Sequence, residues 1–235
     1  MKFLQLIVIE NEITAAQDVA LRQDLMSWYA DTVGRGIGVV VGKPLAAPHS
    51  ARTVCVRDGE VVVSDGPFAE TKEYLGGLGI IDCESLEQAL EVTARNPIAH
   101  LNAIELRPIL DGMDDRLVPE LLDAGRLRQI LLVCVERAAG SDELQARIAR
   151  DCRAWRDELH ASGVQVLSQP LDDARMVRVR DGRTLISDGP FAQTREFLAG
   201  IDILDCATFE DAVGWAAKHP LAALHRIEVR NFVDF

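Results

Sequence analysis

The order of apolar and polar positions predicts two passes through one set of elements. Phe3 to Ile9 is apolar and rich in branched residues, which predicts a strand. From Thr14 to Val33 the apolar residues Val19, Leu21, Leu25, Trp28 and Tyr29 fall close to helical spacing, and Gly34, Gly36 and Gly38 end that helix. Ile37 to Val41 is a second strand, stopped by Gly42-Lys43-Pro44, and Leu45 to Arg52, with Pro48 and His49, is loop. Thr53 to Arg57 and Glu60 to Ser64 flank Asp58-Gly59, the dipeptide of a two-residue hairpin turn whose central residues both need positive φ. Asp65-Gly66-Pro67-Phe68 makes a second turn, followed by the polar segment Ala69 to Tyr74. Gly76-Gly77 leads into the strand Leu78 to Cys83. Ser85 caps a helix with Leu86, Ala89, Leu90 and Thr93 on one face, ending before Asn96-Pro97. Asn102 to Arg107 is the last strand of the pass.

The second pass repeats this order. It runs through the strand Gln129 to Val135, the helix Ser141 to His160, the strand Val164 to Leu167 and a hairpin turning at Asp181-Gly182. A turn at Asp188, the strand Ile201 to Cys206, the helix Phe209 to Lys218 and the strand His225 to Arg230 complete it. One stretch is nearly written twice: RDGEVVVSDGPFAETKEYLGGLGIIDC from Arg57 and RDGRTLISDGPFAQTREFLAGIDILDC from Arg180 share 16 of 27 positions at an offset of 123 residues. So long a period marks a duplicated small domain and not a solenoid. The expected organisation is a first domain over residues 1–110, a linker over 111–126 with a short helix near Val118 to Leu122, and a second domain over 127–235.

Within each copy the order is β-α-β, hairpin, β-α-β. That split pair of βαβ units with an extra hairpin predicts an α+β class of tandem ferredoxin-like domains with the helices on one sheet face. The other face of each sheet then needs cover. Packing the two sheets face to face supplies it, giving a pseudo-dimeric α/β barrel in one chain, with fusion replacing dimerisation. Further homodimerisation is compatible with this arrangement.

Composition adds exclusions. The net charge is −12, with 48% hydrophobic and 26% charged residues, which is ordinary globular composition. An excess of carboxylates without a basic cluster repels phosphate backbones and anionic lipid, so neither nucleic acid nor a membrane is an expected partner. The first apolar run is short, is interrupted by Gln5 and is followed by Glu10-Asn11-Glu12, so it is expected to be a strand and not a signal sequence. Five cysteines, an odd number without a Cys-x-x-Cys pair, point to reduced thiols and a cytoplasmic location. Cys83 and Cys206, at matching strand ends, are expected to be small buried hydrophobes. No His/Cys/Asp set has metal-ligand spacing, and Gly34-Arg35-Gly36-Ile37-Gly38 follows a helix and not a strand, so neither a metal, a phosphate loop nor an organic cofactor is expected.

The doubled Ser-Asp-Gly-Pro-Phe-Ala-x-Thr-x-Glu, followed by Gly-x-x-Ile-x-Asp-Cys and a Glu-x-Arg ending, resembles the signature of the DGPF proteins of the YCII-related group. The resemblance covers nearly the whole chain. It implies a dimeric α+β barrel of ferredoxin-like units in a bacterial cytoplasm, association of some members with sigma factors, and in other members an enzyme activity resting on a His-Asp pair. The five histidines, His49, His100, His160, His219 and His225, depart from that pattern, since none recurs at the matching place in the other copy. His219 stands where the first copy has Asn96, and His225 is expected in the core.

Several residues carry candidate chemistry. Asp65 and Asp188 are either general bases at a strand end beside a pocket or Asx-turn residues. Glu73 and Glu196 are candidate proton acceptors. Thr71 with Lys72, and Thr194 with Arg195, place a hydroxyl and a cation beside them for a small polar or anionic ligand, or form a capped, solvated turn. Phe68 and Phe191 are core anchors or stacking walls. Period-2 alternation sets Glu105 and Arg107, and likewise Glu228 and Arg230, on the strand face away from the helices, where they must pair or line a polar cavity. His49 is free to act from its loop. Two functions follow: a small-molecule-binding or regulatory protein, favoured because no catalytic partner can be placed, or a cofactor-independent hydrolase, isomerase or lyase built on Asp65 and Asp188.

Overall fold

A computed structural model describes residues 1–67, 73–109, 128–136, 141–171, 174–189 and 196–234. Phe68, Thr71, Lys72, Phe191, Thr194, Arg195 and the stretch expected to form a short helix near 118–122 lie outside these residues, as does the side chain of Glu196.

The first half supplies β1 (Lys2–Ile9), α1 (Ala15–Gly34), β2 (Gly38–Pro44), β3 (Arg52–Arg57), β4 (Glu60–Asp65), β5 (Tyr74–Asp82), α2 (Leu86–Arg95), the one-turn α3 (Ile98–Leu101) and β6 (Ala103–Pro108). The second supplies β7 (Gln129–Glu136), α4 (Asp142–Ala161), β8 (Val166–Pro170), β9 (Arg175–Arg180), β10 (Arg183–Asp188), β11 (Glu196–Leu204), α5 (Phe209–Lys218) and β12 (Arg226–Asn231). The long helices start where side chains satisfy the first free amides. Thr14 and Gln17 form a reciprocal capping box on α1, and Thr208 and Asp211 form one on α5. Ser85 and Ser141 cap α2 and α4.

Both tight turns are as the Asp-Gly pairs require. Asp58 and Gly59 have φ of 52° and 82°, and Asp181 and Gly182 have 50° and 70°. Their strands do not stay at home, however. The two sheets run β10-β9-β6-β1-β5-β2 and β4-β3-β12-β7-β11-β8. Each keeps the ferredoxin-like order in the four consecutive strands of its own half, β6-β1-β5-β2 and β12-β7-β11-β8, all antiparallel, and takes the hairpin at its other end from the other half. β9 pairs with β6 through Ile104–Val177 and its neighbours, and β3 pairs with β12 through Ile227–Val54. Guanidiniums of the crossing hairpin reinforce the junction. Arg178 donates from Nε to Glu10 Oε1 at 2.7 Å, and Arg180 donates from Nη2 to Glu10 Oε2 at 3.0 Å.

Strand β5 starts at Tyr74, earlier than its apolar run at Leu78 predicts. Pairing with β1 on one side and β2 on the other holds Gly76 and Gly77 extended, with Gly76 absorbed in a bulge opposite Ile7 and Val8. Likewise β11 starts at Glu196, five residues before the apolar run at Ile201.

The inner faces of the two sheets share one core. Leu4, Leu6, Val8, Leu78 and Ile80 of the first sheet cluster with Ile130, Leu132, Cys134, Ile201 and Ile203 of the second. At about 1.5–3 kcal/mol for each large side chain removed from water, this layer outweighs the charged groups buried within it. On the outer faces, α1 and α2 cover the first sheet through Leu25, Trp28, Ala89 and Val92. Helices α4 and α5 cover the second through Trp155, Leu159, Ala212 and Ala216. The two halves also agree in detail, since Trp28 Nε1 donates to Val92 O at 3.2 Å and Trp155 Nε1 to Trp215 O at 3.1 Å.

Candidate functional site

The halves differ most under their first long helices. Alternation along β5 turns residues 77, 79 and 81 toward the helices, and two of these are glycine. Gly79 pairs with Gly42 of β2, so two adjacent positions on the outer face of the sheet have no side chain. A cavity of about 560 Å³ remains between α1 and the strands, within the range of small-molecule sites. Val233 and Asp234, after β12, also line it, so both halves build the wall.

Neutral polar groups, with several charges at the rim, line the gap. Gln5, 2% exposed, donates from Nε2 to Thr93 Oγ1 at 2.8 Å, and among the described residues nothing engages its Oε1. That oxygen lies 3.1 Å from where a Cβ on Gly79 would stand. Asn96, 3% exposed, ends α2, and its Oδ1 accepts from Ile98 N at 3.0 Å, leaving the Nδ2 amide free of partners among the described residues. The Tyr29 hydroxyl rests against Gly42, only 1.9 Å from where a Cβ would be. Burial pushes the Tyr29 phenol above its ordinary value, so it stays a protonated donor. At the rim Arg22 pairs with Asp18 at 2.9 Å and Lys43 with Asp234 at 2.7 Å, beside the carboxylate of Glu12. A shallower groove of about 670 Å³ runs along the outer side of α1 past Asp31, Arg95 and His100, but Arg95 there pairs with Asp31 at 2.8 Å and the groove receives none of the buried amides.

In the second half the same place is filled. Ser168 and Asp202 pair across β8 and β11 where Gly42 and Gly79 pair in the first. Ser168 Oγ donates to Asp202 Oδ1, and His219 Nε2 faces Asp202 Oδ2 at 3.5 Å. His219 caps α5 as Asn96 caps α2, its Nδ1 accepting from Leu221 N at 3.2 Å. Burial raises the Asp202 carboxyl above its ordinary range, His219 opposing that shift, and burial lowers the His219 imidazole, Asp202 opposing that one. Trp155 packs edge-on against His219 with ring centroids 4.6 Å apart.

The YCII-related domain is matched twice, over residues 1–112 and 129–235. This chain belongs to the YCII-related family. An uncharacterized protein of Rhizobium meliloti (strain 1021) is 44% identical over 67 residues, which is 28% of this chain and 54% of that protein. The match thus spans about half the length of that relative. A crystal structure whose name assigns it provisionally to the chlorite dismutases superposes with a TM-score of 0.47 at 8% identity, covering 99% of this chain and 94% of that one.

Among the described signature residues shared by the two YCII-related copies, Gly77 lines the cavity, whereas the paired aspartates lie away from it. Asp65 and Asp188 stand on exposed hairpin ends, each facing an arginine across its hairpin: Arg52 at 3.2 Å and Arg175 at 3.5 Å. Neither lines the cavity. Glu73 is half-buried just before β5, and His49 is exposed in a 3-10 turn over Pro48–Ser50. His225, expected in the core, precedes β12 and is only half-buried, because the strand begins at Arg226. The strand-end quartet does lie between the sheets. Glu105, Arg107, Glu228 and Arg230 are all at most 3% exposed. Arg107 Nε donates to Glu105 Oε1 at 2.5 Å, while Arg230 lies 3.7 Å from Glu228 Oε1 and donates to Leu75 O at 2.6 Å and to Ala46 O. The Glu-Arg contacts lie within their strands, while the bonds of Arg230 to Leu75 and Ala46 tie the second sheet to the first half; all of them leave the outer-face cavity to other residues.

Sequence reasoning missed Gln5, Tyr29, Asn96 and the Gly42–Gly79 pair as site residues. One signal was present: Asp202, a charge between Ile201 and Ile203 in an otherwise apolar strand, matches Gly79 in the other copy.

Proposed function

We propose that this YCII-related protein binds a small polar molecule in the cavity beneath α1 of its first half. One observation carries the proposal: Gly42 and Gly79 leave open, beside the side-chain amides of Gln5 and Asn96, the position that Ser168 and Asp202 fill in the second half. On this reading the second half is a scaffold that closes its own recess and lends Val233 and Asp234 to the wall of the first. The two sheets act as a pseudo-dimeric barrel, with the bonds of the buried Arg230 to Leu75 and Ala46 helping to fix their alignment.

A thermal-shift screen of small polar compounds tests this with the intact chain and with Gly79→Leu, which fills the recess. Ligands are expected to raise the melting temperature of the wild type and to lose that effect in Gly79→Leu. Tyr29→Phe, which removes only the hydroxyl, provides a second variant in which the hits are expected to weaken. Compounds that stabilise the wild type and Gly79→Leu equally would place binding elsewhere and overturn the proposal, as would a screen in which none stabilises the wild type.

A further inference from the structure

The second half indicates what kind of group the first half's recess takes. Superposing the repeats by their sheet pairings puts the Asp202 carboxyl directly above Gly79, Ser168 above Gly42 and His219 on Asn96. Leu131 takes the place of Gln5, each being the β-strand partner of the residue concerned. On the helix above, Arg156 takes the place of Tyr29, next to the matching Trp155 and Trp28. The protein thus carries, in its second half, an internal occupant of the same recess: a carboxyl group that accepts from a hydroxyl and faces an imidazole N–H.

We propose that the first-half recess recognises an uncharged carboxamide-type edge of its ligand, with the ligand carbonyl where the Asp202 carboxyl stands and the ligand N–H turned toward Gln5. This deepens, and rests on, the binding function proposed above. The donors survive in altered form. The Tyr29 hydroxyl lies over Gly42, where Ser168 offers its own, and Asn96 Nδ2 is presented by the same helix cap that presents His219 Nε2. Two donors fit a carbonyl oxygen.

Two differences set the charge. Arg156, whose positive charge is felt at Asp202, is replaced by the neutral Tyr29, and the cations that line the recess, Arg22 and Lys43, are engaged with Asp18 and Asp234. Leu131 is replaced by Gln5, whose unengaged Oε1 is an acceptor beside Gly79. A carboxylate would meet that oxygen without a proton to share, in a site where desolvation penalises charge. An amide presents its N–H there and satisfies all three groups. A site built to hydrogen-bond an N–H discriminates strongly against an analogue lacking it.

Matched probes test this by ligand-observed NMR or calorimetry: benzamide against benzoate, and nicotinamide against nicotinate. The amide is expected to bind at least about tenfold more tightly than its acid, the scale of one satisfied against one unsatisfied buried hydrogen bond. Gln5→Leu, which installs the second half's residue, is expected to collapse that preference. Tyr29→Phe is expected to weaken amide binding about threefold to tenfold. Equal or tighter binding of the acids, a preference that persists in Gln5→Leu, or no binding of either amide overturns the carboxamide assignment. The binding function itself falls only if the wider screen also yields nothing sensitive to Gly79→Leu.

Discussion

Arg230 offers a sharp test of how the sheets are joined. Its side chain is 1% exposed; it reaches Glu228 at 3.7 Å and donates to the backbone carbonyls of Leu75 and Ala46 in the first half. Burial lowers the guanidinium's pKa, with Glu228 opposing that shift. Substitution Arg230→Met keeps the length and much of the apolar stem but removes the cation. It takes the guanidinium away from Glu228 and leaves two carbonyls without this donor. Breaking a buried pair from one side costs about 3–5 kcal/mol, and for a chain of this size each kcal/mol lowers the melting temperature by roughly 2–4 °C. The expected loss is therefore on the order of 6–20 °C by calorimetry, with a matching fall in the urea midpoint. Glu228→Gln is expected to be milder, because the guanidinium keeps both carbonyls. The double variant Glu228→Gln with Arg230→Met is expected to recover part of the loss, since the carboxylate is then removed together with its cation. A cost of Arg230→Met below about 1 kcal/mol, or equal costs for the two single variants, would refute a buried cation anchored across the sheets.

Other outcomes follow from the same geometry. Asp65→Asn and Asp188→Asn remove only exposed cross-strand ion pairs, so each is expected to change stability by less than about 1 kcal/mol in urea titration. A larger loss would show that these aspartates hold their turns. Burial lowers the His219 pKa, so its contribution to stability is present above the ordinary imidazole value of about 6.5 and is lost as pH falls below it; Asp202, raised by burial, has the opposite sign, present at low pH and lost as pH rises through its elevated value. On acidification from pH 7.5 to 5 the urea midpoint of His219→Asn is accordingly expected to fall less, or rise more, than that of the wild type, and an equal change would refute it. Cys152 and Cys206, each pushed up to about 11 by burial, are expected to resist iodoacetamide at pH 8 in the native state and to be labelled on unfolding, as read by mass spectrometry.

Much of the fold was readable from short-range chemistry. Asp58-Gly59 and Asp181-Gly182 dictate their turns, Ser85 and Ser141 start their helices, and the alternation around Glu105 and Glu228 places those charges between the sheets. What escaped depends on partners distant in sequence. Nothing local distinguishes a hairpin that pairs with β6 from one that pairs with β12, because the two copies present nearly the same edge. The site escaped for a related reason: the doubled motif draws the eye to what the copies share, whereas the cavity comes from where they differ. Gly79 against Asp202 and Gly42 against Ser168 are single substitutions whose joint meaning appears only when β2 is laid beside β5.

The exchanged hairpins also set a timetable for synthesis. Strand β6 ends at Pro108, yet its partner β9 begins at Arg175, so roughly 70 residues must still emerge before the edge of the first sheet is covered. At about 5–20 residues per second that is a wait of roughly 4–14 s. For that interval the nascent chain carries an open strand edge, the feature that most readily recruits a neighbouring chain. Strand β12 meets no such delay, since its partner β3 was made first. The ribosome therefore hands over an unequal pair: a second half that can complete its sheet as soon as it appears, and a first half that carries the cavity and finishes only when its sibling reaches across.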